Sequence, residues 1–162
     1  MNRQDVIRTI GEALADGGLS GRGRHFRLVQ PDLVWMVDLD QIPGTARLGI
    51  SVGVCPAQLA GEQWPDRAND CPIILYPDAG GEPFGLDHWR SWEGLDAASE
   101  IADDERRRSL SEIGDSVAEL AGRVTTLNQL KQLYEAGRLR GFVRKDARLL
   151  LEGGSTPTGL AR

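Results

Sequence analysis

Leu33 to Val54 reads LVWMVDLDQIPGTARLGISVGV, and this stretch decides the fold. In Leu33-Val34-Trp35-Met36-Val37-Asp38-Leu39 nearly every residue is apolar, with the β-branched and aromatic content of a strand covered on both faces. Beyond the turn the pattern becomes strict alternation. Leu48, Ile50, Val52 and Val54 point one way and Arg47, Gly49, Ser51, Gly53 and Cys55 the other, the period of two of a pleated strand. Pro43-Gly44 between them supplies a fixed φ followed by a residue free to take positive φ, the chemistry of a type II turn, so the two runs are expected to pair antiparallel. Gly49 and Gly53 share the second face of the alternating strand, where missing side chains admit a close neighbour. A helix is expected to pack there.

Working outward, Val6, Ile7, Ile10 and Leu14 make one stripe of an opening helix over residues 3–16, closed by Gly17-Gly18. Ser20 to Arg24 reads as a flexible cationic segment and His25-Phe26-Arg27-Leu28-Val29 as a first strand. Pro72 to Tyr76 is an apolar run bounded by prolines, as suits a strand near a sheet edge. An irregular loop is expected from Pro77 to Gly85. His88-Trp89-Arg90-Ser91-Trp92-Glu93 is expected as a short last strand with its tryptophans partly buried. Leu110, Ile113, Val117, Leu120 and Val124 then step by three and four, a helical seam too short for a free coiled coil and suited to roofing the sheet. Thr125-Thr126 caps a further helix from Leu127 to Gly137, and Lys145 to Glu152 forms a last one. The expectation is one α+β domain over residues 1–152, an antiparallel sheet of about four to five strands packed by an N-terminal helix and C-terminal helices, with a flexible tail at 153–162.

At 162 residues the chain is long enough for one proper core, and 40% hydrophobic with 27% charged residues is an ordinary globular composition. A net charge of −5 and a pI near 5.1 weigh against nucleic acid as main partner, since phosphate binding is dominated by Lys and Arg. No apolar run approaches the roughly 18 to 20 residues that span a bilayer, and the start Met-Asn-Arg-Gln-Asp lacks the apolar core of a signal peptide. A cytoplasmic protein without a membrane partner is expected, as a monomer or weak homodimer. In that compartment Cys55 and Cys71, the two cysteines, are expected as buried hydrophobes rather than a bridge.

Gly21-Arg22-Gly23-Arg24-His25-Phe26-Arg27, Val34 to Gln41, and Leu48 to Val54 resemble the bacterial DUF4304 family, with its N-terminal helix, basic Gly-Arg-x-Phe-Arg strand and a strand ending in Gly-Val. The likeness spans residues 1–135 and departs from the family pattern at Asp38 and Asp40. It implies an α+β domain and brings no activity or catalytic residue.

The residues exclude more chemistry than they suggest. Only His25 and His88 are available as a histidine base, and neither lies in a Gly-x-Ser-x-Gly elbow. His25 is expected on an outward, solvated strand face. His88, beside Asp87 and within reach of Glu93, is the better candidate. Asp38 and Asp40 share a strand face and are expected as exposed carboxylates at its end. The cysteines and histidines lack the close pairing of a zinc site, so no metal is expected. The glycines precede a strand rather than opening a helix, so no nucleotide cofactor is expected.

What remains is a binding domain. Asp87 to Glu105 is acidic and carries Trp89 and Trp92, the residue types that steer a basic partner and anchor an interface. The expectation is a non-enzymatic protein of immunity or antitoxin type that sequesters a basic protein, with Asp87, His88, Trp89, Trp92 and Glu93 at the contact. The alternatives are a small hydrolase using His88 with Asp87 or Glu93, and a nucleic-acid-binding module gripping phosphates through Arg22, Arg24 and Arg27 beside Phe26.

Overall fold

The computed structural model describes residues 1–79 and 82–153. Gly80-Gly81 and, apart from Gly153, the tail expected over 153–162 lie outside the described residues. In chain order come α1 (Arg3–Asp16), β1 (Ser20–Arg22), β2 (His25–Val29), β3 (Leu33–Gln41), β4 (Leu48–Pro56), β5 (Ile73–Leu75), α2 (His88–Leu95), α3 (Asp103–Arg123), α4 (Leu127–Glu135), β6 (Gly141–Val143) and α5 (Lys145–Leu151). Short 3₁₀ turns lie at Ala57–Leu59, Ala68–Asp70 and Pro77–Ala79.

The β3–β4 pair is in the register the turn dictates, Val37 opposite Val52 and Leu39 opposite Ile50. Its turn is closed by the Thr45 amide donating to the Ile42 carbonyl at 3.2 Å, with Gly44 at φ +76°. The sheet is α+β and antiparallel, with six strands in the order β1-β2-β3-β4-β5-β6 among the described residues. That exceeds the expected four to five because both edges are three-residue strands. β1 lies in the stretch read as flexible, where the Ser20–Arg22 backbone pairs with β2, and β6 follows α4 and returns to β5. Neither is long enough to display a hydrophobic period.

One face of the sheet carries Phe26, Trp35, Val37, Leu39, Ile50, Val52, Val54, Ile73 and Leu75, all buried with α1, α3 and the other C-terminal helices in one hydrophobic cluster. Leu110, Ile113, Val117 and Leu120 of α3 are 0–1% exposed, each contributing about 1.5–3 kcal/mol by its burial. Trp35, also fully buried, donates its indole N–H to the Val124 carbonyl at 2.9 Å and so joins β3 to the end of α3. The helices end as their residues require. Beyond α1, the Gly18 amide donates to Ala15 and that of Leu19 to Leu14, a Schellman motif with Gly18 at φ +102°. Thr126 and Gln129 form a capping box on α4.

The reverse face is covered by chain without long helices. Val34, Met36 and Cys55 pack there against Ala68 and Cys71, with Leu59, Ala60 and Trp64 around them. At Gly53 the expected close neighbour is a 3₁₀ turn rather than a longer helix. An added Cβ would lie 2.5 Å from the Ala68 carbonyl oxygen and 2.6 Å from Cys71 Sγ, so only glycine lets this turn rest on the strand. Gly49 has no such neighbour, its nearest being Ile42 Cγ1 at 3.6 Å.

The expected last strand is wrong. His88–Leu95 is helix α2, started by Asp87, whose carboxylate accepts from the Arg90 amide at 2.8 Å. Ser91, Gly94 and Leu95 face inward at helical spacing. The tryptophans, three residues apart, therefore share the outer face and are more exposed than expected.

Candidate functional site

Two constellations collect the residues singled out above. The first is the outer face of α2. Trp89 is 73% exposed and Trp92 42%. The His88 ring lies 5.3 Å from that of Trp89 and 5.8 Å from that of Trp92, tilted to both. His88 Nδ1 donates to the main-chain carbonyl of Asp78 at 2.8 Å, which fixes both tautomer and ring. Arg47, on the second face of the alternating run, is buried, with its guanidinium carbon 3.3 Å from the Trp92 ring centroid and Nη2 2.6 Å from Asp78 Oδ2. Burial pushes the Asp78 carboxyl above the ordinary carboxylate range and Arg47 pulls against it. The aromatic face thus stands on a fixed base. Asp87 and Glu93 are exposed beside it.

This geometry leaves His88 without the carboxylate partners considered for it. The Asp87 carboxylate is engaged in capping α2, and the ring's partner is a carbonyl.

The second constellation is on the reverse face, at the β1–β2 end. Register places Arg22, His25, Asp38 and Ser51 in one row across four strands, and Ser20, Arg27, Met36 and Gly53 in the next. Asp38 is not the exposed strand-end carboxylate expected. β3 runs on to Gln41, so Asp38 sits in its interior, 2% exposed. Its Oδ1 accepts from His25 Nδ1 at 2.8 Å and its Oδ2 from the Ala68 amide at 2.9 Å. His25, half-exposed, is therefore not simply solvated, because a buried carboxylate orients its ring. The signal was present: Pro43-Gly44 places the turn well beyond Asp38, and the hairpin register sets His25 opposite it.

A cavity of about 310 Å³ opens over this row, lined by Ser20, Gly21, Arg22, His25, Phe26, Arg27, Met36, Asp38 and Asp66. Arg22 and Arg27 of the expected basic cluster are thus brought together; Arg24, in the hairpin turn, does not line it.

Cys55 and Cys71 are both free and buried in the reverse-face cluster. Burial pushes the Cys55 thiol up to about 11 and that of Cys71 higher still, so both are poor nucleophiles in the folded chain. Among the described residues no group of three or more His, Cys, Asp or Glu is placed to hold a metal ion, and no helix is long and apolar enough to cross a membrane. No family model, curated protein or solved structure matches the chain.

Proposed function

We propose that the chain is a protein-binding domain of the immunity or antitoxin kind, whose outer α2 face engages a partner that is basic at the contact. The observation that carries this is the exposure of two tryptophans on one face of one helix, above a support that holds them in place. Exposed indoles on a fixed base lose little entropy on burial, and tryptophan is enriched where interfaces draw most of their energy. The charge around them supports a basic partner. Asp87 and Glu93 flank the tryptophans, and exposed Asp103, Asp104 and Glu105 open α3, whose Arg106 donates to the Glu93 carbonyl at 3.2 Å and so holds the start of α3 beside the end of α2. Of the cations nearby, Arg47 is paired with Asp78 and Arg90 faces Glu112 at 3.7 Å. The likeness to the DUF4304 family belongs to the same proposal and assigns neither activity nor residue.

The test is co-purification of the tagged chain from its native cell, alongside Trp89→Ala and a Leu149→Ala control remote in sequence. A stoichiometric basic protein that is retained by the control and lost from Trp89→Ala, with an affinity that falls as salt rises, is the expected outcome. Recovery of the same partner by Trp89→Ala, or of no stoichiometric partner even with neighbouring gene products co-expressed, would overturn it.

A further inference from the structure

The cavity on the reverse face is a different surface, built by a different chain of causes. Because position 53 is glycine, the Ala68–Asp70 turn rests on β4. That contact brings the Ala68 amide to Asp38 Oδ2, and the other carboxylate oxygen holds His25 Nδ1. Nε2 is left as the ring nitrogen without a protein partner among the described residues. Arg22 stands opposite His25 across the β1–β2 pair and Arg27 two residues along β2, both exposed and, among the described residues, engaged in no side-chain ion pair. The apolar part of the wall comes from Met36, since the Phe26 side chain lies on the other face against Gly11 of α1, and one further carboxylate, Asp66, lines the cavity.

We propose that this cavity binds a small hydroxylated phosphomonoester, of the class of a sugar phosphate or nucleoside monophosphate, with Arg22, Arg27 and, protonated at both ring nitrogens so that Nε2 donates, His25 as the phosphate ligands and Asp66 accepting from ligand hydroxyls. Two guanidinium forks and an oriented imidazole surround the space from separate strand positions, which suits an oxyanion with several acceptor atoms. Asp38 has both oxygens committed to His25 and Ala68, and its charge is paired when His25 carries protons on both ring nitrogens. Asp66 is not so engaged among the described residues. A bare anion would be repelled by it, whereas a ligand carrying hydroxyl donors beside its phosphate satisfies both ends of the cavity. A volume of about 310 Å³ is at the lower end of small-molecule sites, which favours a ligand of one phosphate and one ring over a polymer.

The experiment is calorimetric titration of the full chain at low ionic strength with ribose 5-phosphate, inorganic phosphate, ribose and a single-stranded oligonucleotide. Saturable one-to-one binding of ribose 5-phosphate, tighter than that of phosphate and absent for ribose, is expected. Arg27→Gln and Arg22→Gln each weaken it about tenfold, the equivalent of one charge-assisted hydrogen bond, and His25→Gln weakens it as well. Arg24→Gln and Trp89→Ala leave it unchanged, so failure here is separable from failure of the α2 reading. Asp66→Asn narrows the gap between ribose 5-phosphate and phosphate. Absence of saturable ribose 5-phosphate binding, equal affinities for Arg24→Gln and Arg27→Gln, or binding of the oligonucleotide alone would each overturn the proposal. Because Arg22 and Arg27 are exposed, their removal does not put the fold at risk.

Discussion

Replacing Gly53 by alanine adds one methyl group and reaches furthest into the reverse face. The new Cβ would lie 2.5 Å from the Ala68 carbonyl oxygen, 2.6 Å from Cys71 Sγ and 2.7 Å from Ala68 Cα. Two of those atoms are main chain, so no rotamer change relieves the clash and the Ala68–Asp70 turn must lift. Overpacking of this kind costs about 1–3 kcal/mol. Lifting the turn also draws the Ala68 amide from Asp38 Oδ2, now 2.9 Å away, and a buried carboxylate short of one donor costs about 1–3 kcal/mol more. The sum, about 2–6 kcal/mol, lowers Tm by roughly 4–24 °C for a chain of this size. Gly49→Ala is the matched control: on the same strand and face, its added Cβ meets nothing nearer than Ile42 Cγ1 at 3.6 Å. That change is expected to lie within about 1 kcal/mol of the parent, with a small gain from the stiffer unfolded chain. Urea unfolding followed by tryptophan fluorescence compares the two. Equal stability of Gly53→Ala and Gly49→Ala would refute the account of how the turn, Asp38 and His25 are held.

Neither cysteine is alkylated by iodoacetamide in the folded chain at pH 8, and both are after denaturation, read by mass spectrometry; Gly53→Ala hastens labelling of Cys71. Both thiols keep their protons to higher pH folded than unfolded, so their linkage to stability is silent below about pH 9 and lowers stability above it, as unfolded thiols ionise first. Trp35→Phe strands the buried Val124 carbonyl and destabilises by about 1–3 kcal/mol in urea unfolding. Arg106→Ala, by freeing the carbonyls of Glu93, Gly94, Asp96 and Ser99 that its buried guanidinium gathers, costs about 3 kcal/mol or more and increases amide exchange over residues 94–99. Trp89→Ala changes stability by no more than about 0.5 kcal/mol, because the side chain is 73% exposed.

Long periodic segments were legible because a single physical demand, burial of one face, repeats along them. The β3–β4 hairpin, the seam of α3 and the bounds of α1 follow from periods of two and 3.6 with glycine and proline as punctuation. The edges were not legible. β1 and β6 are three residues each, and what places them is backbone pairing with β2 and β5, which leaves no mark in side-chain pattern. α2 failed for another reason. His88 to Glu93 carries aromatic residues that favour strands, yet Asp87 capping the Arg90 amide and the inward spacing of Ser91, Gly94 and Leu95 were the competing signals, and they won.

That reversal bears directly on the candidate interface. Had His88 to Glu93 been a strand, Trp89 and Trp92 would have pointed to opposite faces, and at most one would have been free to meet a partner. On a helix the interval of three sets them side by side, with His88 packed against both rings and Arg47 beneath Trp92. Asp38 reverses in the opposite sense, from a carboxylate expected in water to one buried between His25 and Ala68. Its burial depends on a residue with no side chain, fifteen positions later and across the β3–β4 pair, and a contact of that kind is set by register rather than by local composition. Both surfaces therefore rest on support that neighbouring residues in the chain do not supply: Asp78 and Arg47 under the tryptophans, and Gly53 with Ala68 behind the histidine.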